Sequence, residues 1–137
     1  MLSLDMALLL GVIFASILTR AASVGVCYGM SSNNLPPPST VVGMLRDNGF
    51  NSVRLYAPDN DALAALAGTG IGVIVGAPNY VLPELAASAS AAAAWVRANI
   101  AAHPDVSFRY LIVGNKVGGS DTQYLVTSRK RVKCETH

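Results

Sequence analysis

Four segments of the sequence end in side chains that could bind a sugar, and one of them adds a positive charge. Tyr28 and Tyr56 each close a short β-rich run. Asn79 and Asn115 follow two further apolar runs, and Lys116 comes directly after Asn115. Aromatic rings stack on the apolar face of a sugar ring, and side-chain amides bind its hydroxyl groups. These residue types indicate a carbohydrate site if the fold brings the four segments together.

The elements that must position these residues alternate between strand and helix. Strands are predicted at 24–28, 52–56, 71–75 and 109–113, and helices at 40–48, at 60–66 and at 81–102 with a break near Ser88 and Ser90. Strands joined by helical crossovers run parallel, as in a doubly wound sheet or a (β/α)8 barrel. In both folds ligands bind at the carboxyl ends of the strands, where the five residues fall. No glycine-rich nucleotide motif follows the first strand.

Short polar residues and glycines predict where the helices begin and end. Ser39 is predicted to cap the first helix and Asp59 the second, while Gly49 supplies a left-handed stop after the first. Asp59 could instead be an acid near a strand end, as could Asp61. We favour a helix cap and a first-turn charge for these two carboxylates, because aspartate is strongly preferred at such positions.

Composition and charge exclude several classes of protein. The chain has 137 residues, of which 52% are apolar and 13% charged, so it can bury a core and is not a disordered polyelectrolyte. The formal net charge is +2, but the excess lies in the tail, at Arg129, Lys130, Arg131 and Lys133. The body therefore offers no basic patch, and we expect no nucleic-acid partner. Two cysteines and two separated histidines predict neither a metal site nor a cofactor.

The first 23 residues are predicted to be a secretory signal peptide. Ala7 to Leu18 form an apolar run that is too short to span a bilayer, and Ala21 and Ser23 are small residues suited to cleavage before Val24. The segment carries Asp5 and no basic residue ahead of the apolar run, which leaves a buried first helix as the alternative. A signal peptide implies a secreted, extracellular protein without a membrane span.

Several blocks of the sequence, in order and at matching spacing, resemble the plant endo-1,3-β-glucanases of glycoside hydrolase family 17. The blocks are Val24–Gly29, Asn34–Pro36, Val53–Pro58, Val75–Asn79, Ala94–Val96 and Val113–Asn115. The resemblance covers about 24–126 and implies a (β/α)8 barrel, a retaining mechanism and a cleft for β-1,3-glucan in the cell wall or apoplast. It also implies substrate-binding roles for Tyr28, Tyr56, Asn79 and Asn115. In such barrels the asparagine corresponding to Asn115 binds the sugar 2-hydroxyl.

The chain departs from the family pattern at Lys116, which stands where the family has its acid/base glutamate. A retaining glycosidase needs two carboxyl groups about 5–5.5 Å apart, one acid/base and one nucleophile. Lysine, with a reference pKa of about 10.4, would hold a positive charge beside a developing oxocarbenium ion. We therefore expect Lys116 to be non-functional as an acid/base and the chain to be inactive as written.

The second departure is length. A (β/α)8 barrel takes about 250 residues, and this sequence predicts four parallel strands with three crossover helices. We therefore expect an incomplete N-terminal half of a barrel at 24–126, without the nucleophile position and with a divergent basic tail at 127–137. Two open sheet edges would favour non-specific self-association.

Three functions stay open at this point. The chain could be a hydrolase by descent that has lost activity, a non-catalytic half-barrel that binds β-glucan, or a non-functional truncated product. The resemblance further implies that Cys27 is buried and reduced, while a bridge between Cys27 and Cys134 is an alternative.

Overall fold

The computed structural model describes residues 24–135, and the predicted signal peptide lies outside them. Its centre is a sheet of four parallel strands in the order β1-β2-β3-β4. The strands are β1 Gly25–Tyr28, β2 Ser52–Leu55, β3 Gly72–Ala77 and β4 Phe108–Val113. The predicted alternation of strands and helices, with parallel pairing, is confirmed.

Helices make each crossover and one more follows β4. They are α1 Pro38–Asp47, α2 Asn60–Leu66, α3 Leu82–Ala87, α4 Ala89–Val96 and α5 Thr122–Glu135, with a π-helical turn at Arg97–Ala101 that extends α4. Short 3-10 turns at Asn79–Val81 and Gly119–Asp121 lead into α3 and α5. None of the helices in this part of the chain is long and apolar enough to cross a membrane.

Most predicted helix ends are observed, and one is corrected. The Asp59 carboxylate accepts a hydrogen bond from the Ala62 amide at 2.8 Å, as a cap should. Gly49 has φ +74°, and its amide and that of Phe50 bond the last turn of α1. Ser39 does not cap α1. The helix starts two residues earlier than predicted because Pro38, whose ring fixes φ, is suited to its first position.

The long alanine-rich helix is divided, as the two serines indicated. Ser88 has an extended backbone between α3 and α4, and its hydroxyl accepts a hydrogen bond from the Ala91 amide at 3.0 Å. Ser88 thus satisfies one of the free amide groups in the first turn of α4 while the chain changes direction between the two helices.

One face of the sheet packs against the helices and forms the core. Alternate residues of the two central strands are fully buried there, with Leu63 and Leu66 of α2 above them: Val53, Leu55, Val73 and Val75. The other face, which we call the inner face, carries the intervening residues, among them Cys27, Arg54 and Ile74 in neighbouring register. The expectation of a buried Cys27 is wrong for this structure. Its thiol is free and exposed, because no described element covers the inner face.

Helix α5 crosses the predicted boundary at 126 and packs against α3 and α4. Val132 is buried, and the Ser128 side chain is fully buried, donating to the Leu82 carbonyl at 3.0 Å or to the Tyr124 carbonyl at 2.8 Å. The segment therefore has regular structure that its lack of apolar periodicity did not predict. The division into barrel segment and tail stays a prediction.

The outer edges of β1 and β4 have no partner strand among the described residues. Beside β4 runs a groove of about 690 Å³ between the strand, Ile100 and helix α5, with Arg109 and Arg129 among its lining residues.

Candidate functional site at the carboxyl ends of the strands

Parallel pairing places the carboxyl ends of all four strands at one edge of the sheet. Tyr28 ends β1, Tyr56 follows β2, Asn79 lies two residues beyond β3, and Asn115 two residues beyond β4. The four predicted substrate-binding residues thus share one end of the sheet. The register of the strands brings them to this end.

Two of them, Asn79 and Asn115, are joined directly by a pair of hydrogen bonds. The Asn115 amide N–H donates to Asn79 Oδ1 at 2.7 Å, and Asn79 Nδ2 donates to the Asn115 carbonyl at 3.0 Å. The Asn79 side chain therefore binds the backbone of the loop after β4 and fixes its position. Its amide oxygen and one N–H are engaged in this contact, so the main role of the Asn79 side chain is to position the loop.

The Asn115 side chain points its oxygen at a residue that the sequence analysis missed. Arg54 Nη2, from the inner face of β2, donates to Asn115 Oδ1 at 3.2 Å. The Arg54 guanidinium carbon also lies 4.7 Å from the centre of the Tyr56 ring, within cation–π range. One signal could have found it, since Arg54 is a charged residue between two buried ones in a strand and must face the opposite side.

The two tyrosines occupy different environments. Tyr56 is 41% exposed, whereas Tyr28 is half-buried against the core. A hydrogen bond with Cys27 raises the pKa of the Tyr56 hydroxyl above its ordinary value, and the electrostatic interaction with the same side chain adds to this. Burial raises the pKa of Tyr28, with a further contribution from the Asp59 carboxylate. Both phenols can therefore act as hydrogen-bond donors at neutral pH.

Lys116 lies on the exposed loop directly after Asn115. Its φ of +48° is in the left-handed region, and Gly114 two residues earlier has φ +78°. A Cβ at Gly114 would stand 2.4 Å from Val117 Cγ2, so the loop requires glycine there. Among the described strand ends the one nearby carboxylate is Asp59, which already caps α2.

This arrangement suits a neutral, hydroxyl-rich ligand better than a metal. Amide, guanidinium and phenol groups converge at one edge, and an exposed ring lies beside them. No group of three or more His, Cys, Asp or Glu that could hold a metal ion occurs within 24–135. The parallel β/α sheet defines an α/β protein, and the polar and aromatic side chains at the carboxyl ends of its strands form its candidate binding site.

The chain belongs to glycosyl hydrolase family 17, whose model matches residues 24–135. The family resemblance noted in the sequence is therefore confirmed, and the match continues past Val126 through α5. The described strands and helices form part of the family's (β/α)8 barrel.

Known relatives match this chain over about a third of their own length. Lichenase-2 of Hordeum vulgare is 62% identical over 110 residues, covering 80% of this chain and 35% of the relative. The acidic isoform of glucan endo-1,3-beta-glucosidase of Zea mays is 51% identical over 129 residues, with 94% and 38% covered. The matched third of each relative is therefore the part that corresponds to strands β1 to β4 of this chain.

Two solved structures have the same fold over that segment. One belongs to a pair of plant beta-glucan endohydrolases with distinct substrate specificities and superposes with a TM-score of 0.81 at 60% identity, covering 82% of this chain and 37% of that one. The other is CJP38, a beta-1,3-glucanase and allergen of Cryptomeria japonica pollen, with a TM-score of 0.79 at 35% identity, covering 83% and 38%.

Proposed function

We propose that the strand-end site of this chain binds β-glucan and that the chain does not hydrolyse it. The observation that carries the proposal is the hydrogen-bonded cluster of Asn79, Asn115 and Arg54 beside Tyr56, with lysine at the next position. Glucan is named as the substrate of relatives at 42% and 51% identity, and beta-glucan as that of a solved structure at 60% identity, which supports this class of ligand.

Binding follows from the groups that the cluster leaves free. Asn115 Oδ1 bonds Arg54, and its Nδ2 has no partner among the described residues, so this amide can donate to a sugar hydroxyl. The exposed Tyr56 ring supplies a stacking surface. Asn79 holds the loop that presents Asn115, and Tyr28 contributes its hydroxyl at the neighbouring strand end. The site is thus ordered before a ligand arrives, which lowers the entropic cost of binding.

The hydrolytic step needs a carboxyl group at the position that Lys116 occupies. The acid/base of a retaining glycosidase must donate a proton to the leaving oxygen and then, as a carboxylate, accept one from water. A lysine side chain offers no carboxylate for either step, and a cation at this position opposes the oxocarbenium-like transition state. We therefore assign Lys116 to the acid/base position without that function.

Affinity electrophoresis in gels containing laminarin, a β-1,3-glucan, tests the proposal. We expect the chain to be retarded and to release no reducing sugar. A mixed-linkage β-glucan in a parallel gel reports which linkage the site prefers. Asn115→Ala should weaken retardation about tenfold, by loss of hydrogen bonds to the sugar. Asn48→Ala, which removes an exposed amide from the opposite end of the sheet, is the matched control and should migrate like the wild type.

Three results would contradict the proposal. Unretarded migration of a chain that melts cooperatively would mean that the site does not bind glucan. Absence of both retardation and a cooperative melt would support the alternative of a non-functional product. Reducing-sugar release by the wild-type chain would show that Lys116 does not prevent hydrolysis.

The chain acts outside the cell in this proposal, in the cell wall or apoplast. Support comes from the apolar run Ala7–Leu18 followed by small residues at Ala21 and Ser23. Expression in a plant secretory system followed by N-terminal sequencing of the medium fraction should give a protein that begins at Val24. A protein retained in the cells with Met1 intact would contradict it.

Self-association through the sheet edges is part of the same proposal. The outer edge of β4 and the inner face expose apolar side chains, with Tyr110 69% exposed. Unpaired strand edges of this kind pair readily with other chains.

A further inference from the structure

The described part of the strand-end site carries two cationic side chains, Arg54 and Lys116, and one carboxylate, that of Asp59, whose charge acts on Tyr28. Arg54 contacts Asn115, and Lys116 is the next residue along the chain. Asp59 is the acidic side chain closest in sequence to these strand ends, and its carboxylate accepts the α2 amide bond. Among the described residues, neither Arg54 nor Lys116 forms an ion pair. With the Asp59 charge counted, the described residues leave a surplus of one positive charge at this edge, which favours an anionic ligand.

The hydrogen bonds of Arg54 also favour an anionic ligand, because most of its donors have no partner among the described residues. A guanidinium has five N–H donors, and the described residues accept from one of them, at Asn115. Nε is buried without a partner. The Tyr56 ring lies against the guanidinium carbon and covers one face of the group. The donors left for a ligand are therefore the remaining in-plane N–H groups of the two Nη atoms, because Nε is buried. The planar fork of donors matches the two oxygens of a carboxylate.

Lys116 adds a second positive charge to the loop after β4. Hydrogen bonds to the backbone of the preceding residue hold this loop in place. The Asn79 clamp fixes the Asn115 backbone on both its N–H and its carbonyl side. Lys116 follows at φ +48° and its side chain is exposed to solvent. Its ammonium group is therefore free to approach an anion that is bound at Arg54 and Asn115.

We propose that Arg54 and Lys116 bind a carboxylate carried by the glucan, so that this site prefers a uronate-containing chain to a neutral one. The inference rests on the proposed function, because the sugar is held by the same strand-end cluster. Arg54 bonds the carboxylate through its in-plane donors, Lys116 neutralises the remaining charge, and Asn115 donates to an adjacent hydroxyl.

The test compares two ligands that differ only at C6 of their glucose units. One is laminarin, and the other is laminarin whose C6 hydroxymethyl groups have been oxidised to carboxylates. We expect the wild-type chain to bind the oxidised glucan about tenfold to a hundredfold more tightly at low salt. Raising NaCl to about 0.5 M should remove most of this preference, because salt screens exposed charges.

Variants then assign the preference to the site. Lys116→Gln should reduce the ratio of the two affinities several-fold, and Lys116→Glu should bring it to one or below. Lys130→Gln removes an exposed positive charge from α5 and should leave the ratio at the wild-type value. Lys116 is exposed, so melting curves of its variants should match the wild type and exclude misfolding as a cause.

The outcomes separate this inference from the function on which it rests. Equal affinity for both glucans in the wild type, or a ratio that Lys116→Gln does not change, overturns the inference and leaves β-glucan binding intact. A ratio that falls in Lys130→Gln instead places the anion on α5 and also overturns it. If neither glucan binds, both proposals are wrong.

Discussion

The Asn79 side chain holds a loop in place through two hydrogen bonds. Its amide oxygen and nitrogen bond the N–H and the carbonyl of residue 115, so the loop after β4 is tied to the turn after β3. The same bonds leave the Asn115 side chain to Arg54 and to a ligand. Asn79 is therefore best regarded as a positioning residue, while Asn115 is the residue that contacts sugar in our proposal.

Gly76 marks the closest approach of two strands below the site. A Cβ at this position would lie 2.4 Å from the Tyr56 carbonyl oxygen, and backbone atoms there cannot move aside. We predict that Gly76→Ala destabilises the chain by about 1–3 kcal/mol through overpacking. Gly43→Ala is the control. It adds a methyl group within α1 where nothing lies within 4 Å, and should stabilise by about 0.5–1 kcal/mol. Urea unfolding measures both, and an unaffected Gly76→Ala midpoint would contradict the close approach.

Tyr28 should limit stability at alkaline pH. Its pKa is raised in the folded state, by burial first and by Asp59 second, above the ordinary value of 10.0. The folded chain thus keeps a proton that the unfolded chain loses, and the resulting stability is complete below pH 10 and lost as pH rises through the higher pKa. We predict that Tyr28→Phe flattens the fall in melting temperature above about pH 10. An identical slope in wild type and variant would mean that Tyr28 is not the group involved.

Among the elements, the four strands and the divided helix were predictable, whereas α5 was not. Buried strands, the Asp59 cap and the Gly49 stop each have a local signal in the sequence. Helix α5 has no such local signal, because tertiary contacts of the buried side chains of Ser128 and Val132 hold it in place. The pairing of Asn79 with Asn115 was equally hidden, since residues 36 positions apart meet only after the sheet forms. The placement of the site at the strand ends followed from topology alone.

The attachment of α5 gives a prediction at the scale of elements. The Ser128 hydroxyl can donate to the Leu82 carbonyl of α3 or to the Tyr124 carbonyl of its own helix, within a dry contact. Ser128→Ala removes these bonds and should cost about 1 kcal/mol of stability. The exposed Gln123→Ala, in the same helix, should cost nothing measurable. Differential scanning calorimetry separates the two, and equal melting temperatures would show that the hydroxyl does not hold the helices together.

For the molecule as a whole, we expect the uncovered inner face and the free edges of β1 and β4 to determine how the chain associates in solution. Cys27 and Tyr110 are exposed there, and the groove beside β4 is lined largely by apolar residues. The chain spans about a third of its relatives' length, so these surfaces are the ones that this segment presents when it is studied alone.

We predict that the purified chain associates in a concentration-dependent way. Exposed strand edges and apolar surface favour pairing between copies. Size-exclusion chromatography with light scattering should give a mass that rises with loading concentration under reducing conditions, which exclude disulfide linkage through Cys27. A sharp monomer with a cooperative melt over the whole concentration range would contradict this.

The central claim is that this member of glycosyl hydrolase family 17 retains a glucan-binding strand-end site without its hydrolytic step. A single titration tests it most directly: laminarin is added to the wild-type chain and to Asn115→Ala while reducing sugar is assayed in the same samples. The account predicts saturable binding by the wild type, about tenfold weaker binding by the variant, and no reducing sugar from either. Reducing sugar released by the wild type, or equal binding by both proteins, would contradict it.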